Sequence, residues 1–322
     1  MKILLVRLSS MGDLIHTLPA VSDLAAAYPD VELHWLCEAG FADIAKLHPF
    51  VKKIHVMKWR YWRKHLTQKA VWQEIGRLKN DLQAEQFDFV LDSQGLVKSA
   101  AFAKMAAAPV KGLDWQSARE PLASLLYQNK FAVEVGRNAV WRNRKLFAQV
   151  FDYAVPETLT FGLRVPPCEH ISADKPYYVF LHATSAERKL WPVEYWRELL
   201  ADLTHHQDCA VYLPWGNESE RQRAQEIAAG FAKAAVCDKM NLIEAAQLLK
   251  GAQGVAGVDT GLLHLANALD CPLVGIYTDT DPHKTGIQPS AWAKNLGNIG
   301  SVPSVQEVYA GLAACVAAKE AV

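Results

Sequence analysis

Short apolar runs alternate with amphipathic stretches along almost the whole chain, and this alternation constrains the fold more than any single motif. "KILLVRL" reads as a buried strand and "LIHTLPAVSDLAAAY" behind it as a helix. "VELHWLCE" and "KKIHVM" read as further strands, followed by a long polar helix around "AVWQEIGRLKNDLQAEQ", the strand "FDFVLDSQG" and the helix "LVKSAAFAKMAAA". "VKGLDW", "SAREPLASLLY" and the helical "NAVWRNRKLFAQVFDY" complete the first half. The pattern predicts an α/β protein with parallel sheets covered by helices.

The pattern pauses at Pro156, Pro166, Pro167 and Pro176 and then resumes through "YYVFLHA", "CAVYLPWG", "GVAGVD" and "PLVGIY", each followed by a helical stretch. A chain of 322 residues, 51% apolar, is long enough for two cores. We place a first domain at 1–160 and a second at 161–322, both doubly wound, with a cleft between them as the expected ligand site. Neither an obvious repeat nor a low-complexity segment is present.

Formal charge is zero, which argues against a general polyanion binder. The six cysteines (Cys37, Cys168, Cys209, Cys237, Cys271 and Cys315) show no CxxC or zinc spacing and fit reduced thiols in a cytosolic protein. Arg7 interrupts the first apolar run before a signal-peptide core is complete, and no run is long enough to span a membrane. The expected location is cytoplasmic, with contact at a membrane surface.

In doubly wound sheets, ligands collect beyond the carboxyl ends of strands, where helix N-termini present unsatisfied N–H groups. "LSSMGD" sits at such an end, with Ser9, Ser10 and Gly12 allowing a tight turn and Asp13 at the helix start. From position alone, Asp13 is either a helix-capping residue, a role its type favours, or a functional carboxylate. The loop lacks GxGxxG and the Walker lysine, which weakens dinucleotide and P-loop readings. "FLHATSAERKLWP" puts Thr184 and Ser185 after a strand and Lys189 before a helix, groups suited to a diphosphate. "GVAGVDTGLLHLANAL" repeats the device with Asp259, Thr260, Gly261 and His264. Each segment alone also reads as a capped helix; together in one domain they favour a nucleotide-diphosphate site. Glu220 in "PWGNESERQ" reads equally as a ribose acceptor or as a helix-start glutamate.

Residues 52–72, "KKIHVMKWRYWRKHLTQKAVW", carry seven cations and no acid, interleaved with Trp59, Tyr61, Trp62 and Trp72. A solvated basic face is the ordinary explanation. The aromatics shift the balance toward an anionic, partly apolar partner such as a phosphorylated lipid. No RNA- or DNA-binding module accompanies the stretch, so nucleic acid is not expected.

The stretches "SSMGDLIHTLPA", "WRKH", "QGLVKSA", "DWQSAREPLAS", "FLHATS", "KLWP", "YWREL", "LPWG", "KMNL" and "VDTGLLHL" span nearly the whole chain. On these the sequence resembles the ADP-heptose:lipopolysaccharide heptosyltransferase I family, which adds the first heptose of the lipopolysaccharide inner core. The resemblance implies a GT-B fold: an N-terminal acceptor domain and a C-terminal ADP-sugar domain, two Rossmann-like domains facing a central cleft. The final helix would return toward the first domain.

The resemblance further implies that Asp13 is the catalytic base of an inverting transfer from ADP-heptose to Kdo of Kdo2-lipid A. Thr184, Ser185 and Lys189 would hold the donor phosphates, with Thr260 and Gly261 adding donors and Asp259 and His264 completing the site. Glu220 and Met240 would line the ribose and adenine pocket. Arg60, Arg63, Lys64 and Arg119 would receive the acidic acceptor, joined by Ser10, Gln94 and Lys98. No cofactor is implied, and the protein would work peripherally on the cytoplasmic face of the bacterial inner membrane. "YTDTDPHK" contains Asp279-Thr280-Asp281, superficially a metal-binding DxD, but it follows the last strand as a loop and metal independence is the expectation. Two alternatives remain: another nucleotide-sugar enzyme of the same architecture, and a non-catalytic protein that binds nucleotide or anionic lipid.

Overall fold

The computed structural model describes residues 1–167 and 175–321; Cys168 lies outside the described residues. The chain divides into two compact units, Met1–Arg164 and Val165–Val322. The division falls slightly beyond the boundary at 160 drawn from the prolines.

The N-terminal unit holds strands β1 (Lys2–Val6), β2 (Glu32–Glu38), β3 (Val51–Met57), β4 (Phe89–Asp92), β5 (Val110–Leu113) and β6 (Asn129–Phe131). Its helices are α1 (Met11–Ile15), α2 (Leu18–Ala27), α3 (Ala42–Lys46), α4 (Trp59–Trp62), α5 (Lys69–Ala84), α6 (Val97–Lys104) and α7 (Ala139–Phe151). The sheet is parallel, in the order β3-β2-β1-β4-β5-β6. Strands covered on both faces must be apolar throughout, as "ILLV" in β1 is, with every one of its four residues fully buried. The single helix expected over 14–28 is instead two, because the chain turns at His16–Thr17 and restarts with Pro19 in the first turn of α2. A buried ion pair, Arg144 Nε to Asp23 Oδ2 at 2.6 Å, ties α7 to α2, and the same guanidinium donates to the carbonyls of Pro156 and Thr158.

The C-terminal unit holds β7 (Tyr177–Leu181), β8 (Ala210–Leu213), β9 (Ala234–Val236), β10 (Gly254–Val258), β11 (Leu273–Tyr277) and β12 (Ala293–Gly297). Its helices are α8 (Val193–His206), α9 (Glu218–Ala228), α10 (Leu242–Lys250), α11 (Gly261–Ala268), α12 (Pro282–Thr285) and α13 (Val305–Glu320). The order β12-β11-β10-β7-β8-β9 repeats the first unit's winding strand for strand. In each sheet the order reverses between the first and fourth strands of the unit, and loops leaving their carboxyl ends form the natural ligand site.

The last helix, α13, packs on α8 and on β10, β11 and β12, burying Val305, Val308, Leu312, Cys315 and Val316 in that core. Its apolar stripe is therefore satisfied by the C-terminal sheet itself. The five described cysteines are free and buried, and burial pushes the thiols of Cys37, Cys237 and Cys271 up to about 12. Among the described residues no helix is long and apolar enough to cross a membrane.

Candidate active site

In the N-terminal unit the loops after β1 and β4 meet at the reversal point. Arg7 leaves β1 almost completely buried, which a guanidinium tolerates only when its N–H groups find acceptors. It donates through Nη1 to the carbonyl of Ser93 and through Nη2 to Asp13 Oδ1 at 3.2 Å. The other carboxylate oxygen, Oδ2, accepts the Ser10 N–H at 2.8 Å and the Ser10 hydroxyl at 3.1 Å. Asp13 thus closes the start of α1 and is also held by a buried cation, so capping leaves room for a functional role as well. Burial alone would raise its pKa; the charge of Arg7, the Ser10 hydrogen bonds and the nearby His16 outweigh that and hold it below the usual aspartate range. The carboxylate is ionised at neutral pH while a quarter of its side-chain surface stays open.

Gln94 is buried; its Oε1 accepts the Leu8 N–H at 2.7 Å and its Nε2 donates to the Ser9 carbonyl at 3.1 Å, so each end of the amide braces the loop after β1. Ser10 is similarly engaged with Asp13. Behind them, the buried Asp92 accepts from Tyr127 Oη and Ser99 Oγ, each at 2.7 Å, and from the backbone N–H groups of Gln94 and Gly95. Burial still raises its pKa against those bonds.

The expected acceptor cations lie at the same end of this sheet. Arg60, Arg63 and Lys64 are exposed on and just after α4, which follows β3; Arg119 is exposed beyond β5. The Arg60 guanidinium sits 4.9 Å from the Phe41 ring centre. Lys98 is half-buried in the first turn of α6, which follows β4.

In the C-terminal unit the reversal point lies between β7 and β10, and the structure brings most of the expected donor residues together there. Thr184 Oγ1 donates to the Asp259 carbonyl at 2.8 Å, and Lys189 Nζ donates to Asp259 Oδ2 at 2.8 Å. His264 Nε2 stands 3.7 Å from Asp259 Oδ1, and Thr280 Oγ1 donates to Oδ2 at 2.9 Å. Thr260 and Gly261 open α11 beside them, and Ser185 is exposed next to Thr184. Burial works against the charge on Asp259, but His264 and Lys189, through hydrogen bonds and charge, hold its pKa well below the ordinary carboxylate range.

This geometry refines one expectation. A carboxylate repels a diphosphate, and Asp259 is engaged by Lys189, Thr280 and His264, an arrangement suited to holding those side chains in place. Glu220 follows β8, where its carboxylate accepts from the Gly216 N–H at 2.7 Å and from Asn217 Nδ2 at 2.8 Å at the start of α9. Met240 is half-buried after β9. Both lie at the same sheet end as the Asp259 cluster but beyond neighbouring strands. The DxD string is dispersed: Asp279 pairs with Arg188 at 2.5 Å and Asp281 caps α12 through the His283 N–H at 2.9 Å, while Thr280 serves Asp259.

A model of glycosyltransferase family 9 (heptosyltransferase) matches residues 75–308. The chain belongs to that family. Lipopolysaccharide heptosyltransferase 1 of Pseudomonas aeruginosa is 43% identical over 94% of this chain and 84% of its own length. The E. coli heptosyltransferase WaaC solved with ADP superposes with a TM-score of 0.91 at 38% identity, covering 98% of this chain and 100% of that one. The WaaC structure with ADP-2-deoxy-2-fluoro heptose gives 0.85 at 38% identity, covering 97% and 98%. This family 9 chain is accordingly a glycosyltransferase with the GT-B fold.

Several residues that brace these strand-end loops escaped sequence reading. Arg7 was visible only as a charge interrupting an apolar run, and that cation at the end of a buried strand was the available signal. His182, fully buried in "FLHATS", has its pKa lowered to about 4 by burial and by the nearby Arg223 charge, against a backbone hydrogen bond to Pro214. Arg223 of α9 clamps this loop by donating to the carbonyls of His182 and Trp191. No local pattern marks Arg223, because its partners lie far away in sequence.

Proposed function

We propose that this glycosyltransferase moves L-glycero-D-manno-heptose from ADP-heptose to the Kdo of Kdo2-lipid A, with inversion at the anomeric carbon, in assembly of the lipopolysaccharide inner core. The observation that carries the reading is the full-length likeness to an enzyme solved with ADP-2-deoxy-2-fluoro heptose, at 38% identity. Local geometry agrees with the two halves of such a reaction. Asp13 is an ionised, partly open carboxylate, the state required of a base. Lys189, His264 and the N-terminus of α11 surround the point where a diphosphate would gain charge.

In the proposed step, the acceptor hydroxyl loses its proton to Asp13 as its oxygen bonds to the anomeric carbon. The bond from that carbon to the diphosphate breaks, and ADP leaves from the opposite face with the electron pair. The diphosphate would lie against the β10 and β7 loops and the nucleoside toward Glu220 and Met240, beyond β8 and β9. Three strand spacings cover roughly 14 Å, a reach suited to a nucleoside diphosphate. Arg60, Arg63, Lys64 and Arg119 supply charge for the acidic acceptor, and the protein works peripherally on the cytoplasmic face of the inner membrane. The cations at the diphosphate replace a metal, so chelator leaves the rate unchanged.

The test is incubation with ADP-heptose and Kdo2-lipid A, followed by mass spectrometry. Addition of one heptose, with ADP released, is expected. Donor binding without transfer to Kdo2-lipid A, but with transfer to an acceptor already carrying heptose, would reassign the chain to a later step.

A further inference from the structure

From the end of the N-terminal sheet that carries Asp13, the 3₁₀ turn Pro121–Leu126 runs back toward the start of β6, burying Ala123 and Ser124 while leaving Leu122 and Leu125 60% and 64% exposed. Trp115, 51% exposed, precedes the turn, and Val97, 40% exposed, begins α6 beside it. The two loops are tied together: the Val97 N–H donates to Glu120 Oε2 at 2.7 Å and the Glu120 N–H to the Gly95 carbonyl at 2.9 Å. Bare leucines three residues apart, in a turn tied to the start of α6 and preceded in the chain by an exposed tryptophan, form a surface that water alone does not favour.

The charge around these residues identifies what covers them. Arg119 and Lys98 stand on the same two loops, and the basic run of α4 lies at the same sheet end. Apolar side chains flanked by Arg119 and Lys98, with the neighbouring Glu120 carboxylate engaged by the Val97 N–H, match a bilayer whose acyl region lies beneath anionic headgroups. A second copy docking by a two-fold axis would instead set Arg119 and Lys98 against their own equivalents.

We infer that Leu122, Leu125 and Trp115 form a shallow insertion face that docks the N-terminal unit on an anionic bilayer, with Arg119 and Lys98 at headgroup level. The inference rests on the proposed lipid-borne acceptor and names the residues that meet the lipid. Its consequence is kinetic: docking holds the Asp13 loop at the surface where the Kdo sugars stand.

The experiment compares wild type with the Leu122→Ser/Leu125→Ser variant, both checked for folding by circular dichroism. Flotation with phosphatidylethanolamine–phosphatidylglycerol vesicles is expected to show about tenfold weaker binding by the variant. Transfer to Kdo2-lipid A in those vesicles should lose a similar factor in kcat/KM, while transfer to a deacylated, water-soluble acceptor stays at the wild-type value. Equal vesicle binding by the two proteins would overturn the inference. So would an equal loss on the soluble acceptor, which would place the leucines at the sugar. Failure of the wild type to transfer heptose to either acceptor would defeat the proposed reaction, while the flotation result would still judge the surface.

Discussion

The two units wind their sheets identically, and each places an aspartate at the reversal point, yet the two carboxylates are in opposite situations. Asp13 touches one buried guanidinium and the start of a five-residue helix, and a quarter of its side chain remains open. Asp259 is one-tenth open and is engaged by a lysine, a histidine and a threonine. Both are held in the ionised form, but only the first keeps surface available to a ligand. Two carboxylates on opposite sides of the same reversal point, Asp13 after the first strand of its unit and Asp259 after the fourth, thus differ in openness, and the neighbouring side chains decide which stays open.

The contrast breaks most visibly at Asp13. Asp13→Asn preserves the helix start while removing the base, so kcat should fall by about 10²- to 10⁴-fold with the melting temperature unchanged. A comparable loss of melting temperature would show that the capping role dominates. Lys189→Met comes next: loss of a hydrogen bond between charged groups, about 1.5–3 kcal/mol, predicts roughly 10- to 100-fold weaker ADP binding by calorimetry.

Asp259→Asn should act on stability and on donor KM, by about tenfold, more than on kcat, the reverse of Asp13→Asn. Its pH signature has a definite sign. Because the folded pKa of Asp259 is depressed, its contribution is fully present above the unfolded value of about 3.9 and is lost as pH falls toward the folded value. Chemical denaturation from pH 6 to pH 3 should therefore show a shallower loss of stability in the variant than in wild type. The smallest effect is expected from Arg7→Gln. Removing that charge lifts the Asp13 pKa, so the acid limb of the kcat/KM profile moves to higher pH, with little change on the plateau. An unmoved limb would mean that Arg7 only supports the loop.

Much of this was legible locally. The central strands β1, β4, β7 and β10 are continuous apolar runs because both faces are covered. Strands β6, β9 and β12, with "NKF", "AAV" and "AKNLG", gave no such signal. They lie at sheet edges, where one neighbour suffices and polar residues are tolerated. The same limit governs the site. Asp13, Thr184, Lys189 and Asp259 sit in short motifs at strand ends, whereas Arg7 with Ser93 and Lys189 with Asp259 are partners 86 and 70 residues apart. The bracing bonds of Gln94 were not legible, because its two backbone partners, Leu8 and Ser9, belong to a loop brought alongside only by the fold.

The Lys189–Asp259 pair has a consequence for how the donor arrives. The ammonium rests on an anion built into the protein, so the cluster is not a bare positive well. Under the proposed reading, donor binding is an exchange in which the diphosphate competes with Asp259 for Lys189. A small dianion such as sulfate, with fewer contacts than a nucleoside diphosphate, would make a poor competitor in that exchange.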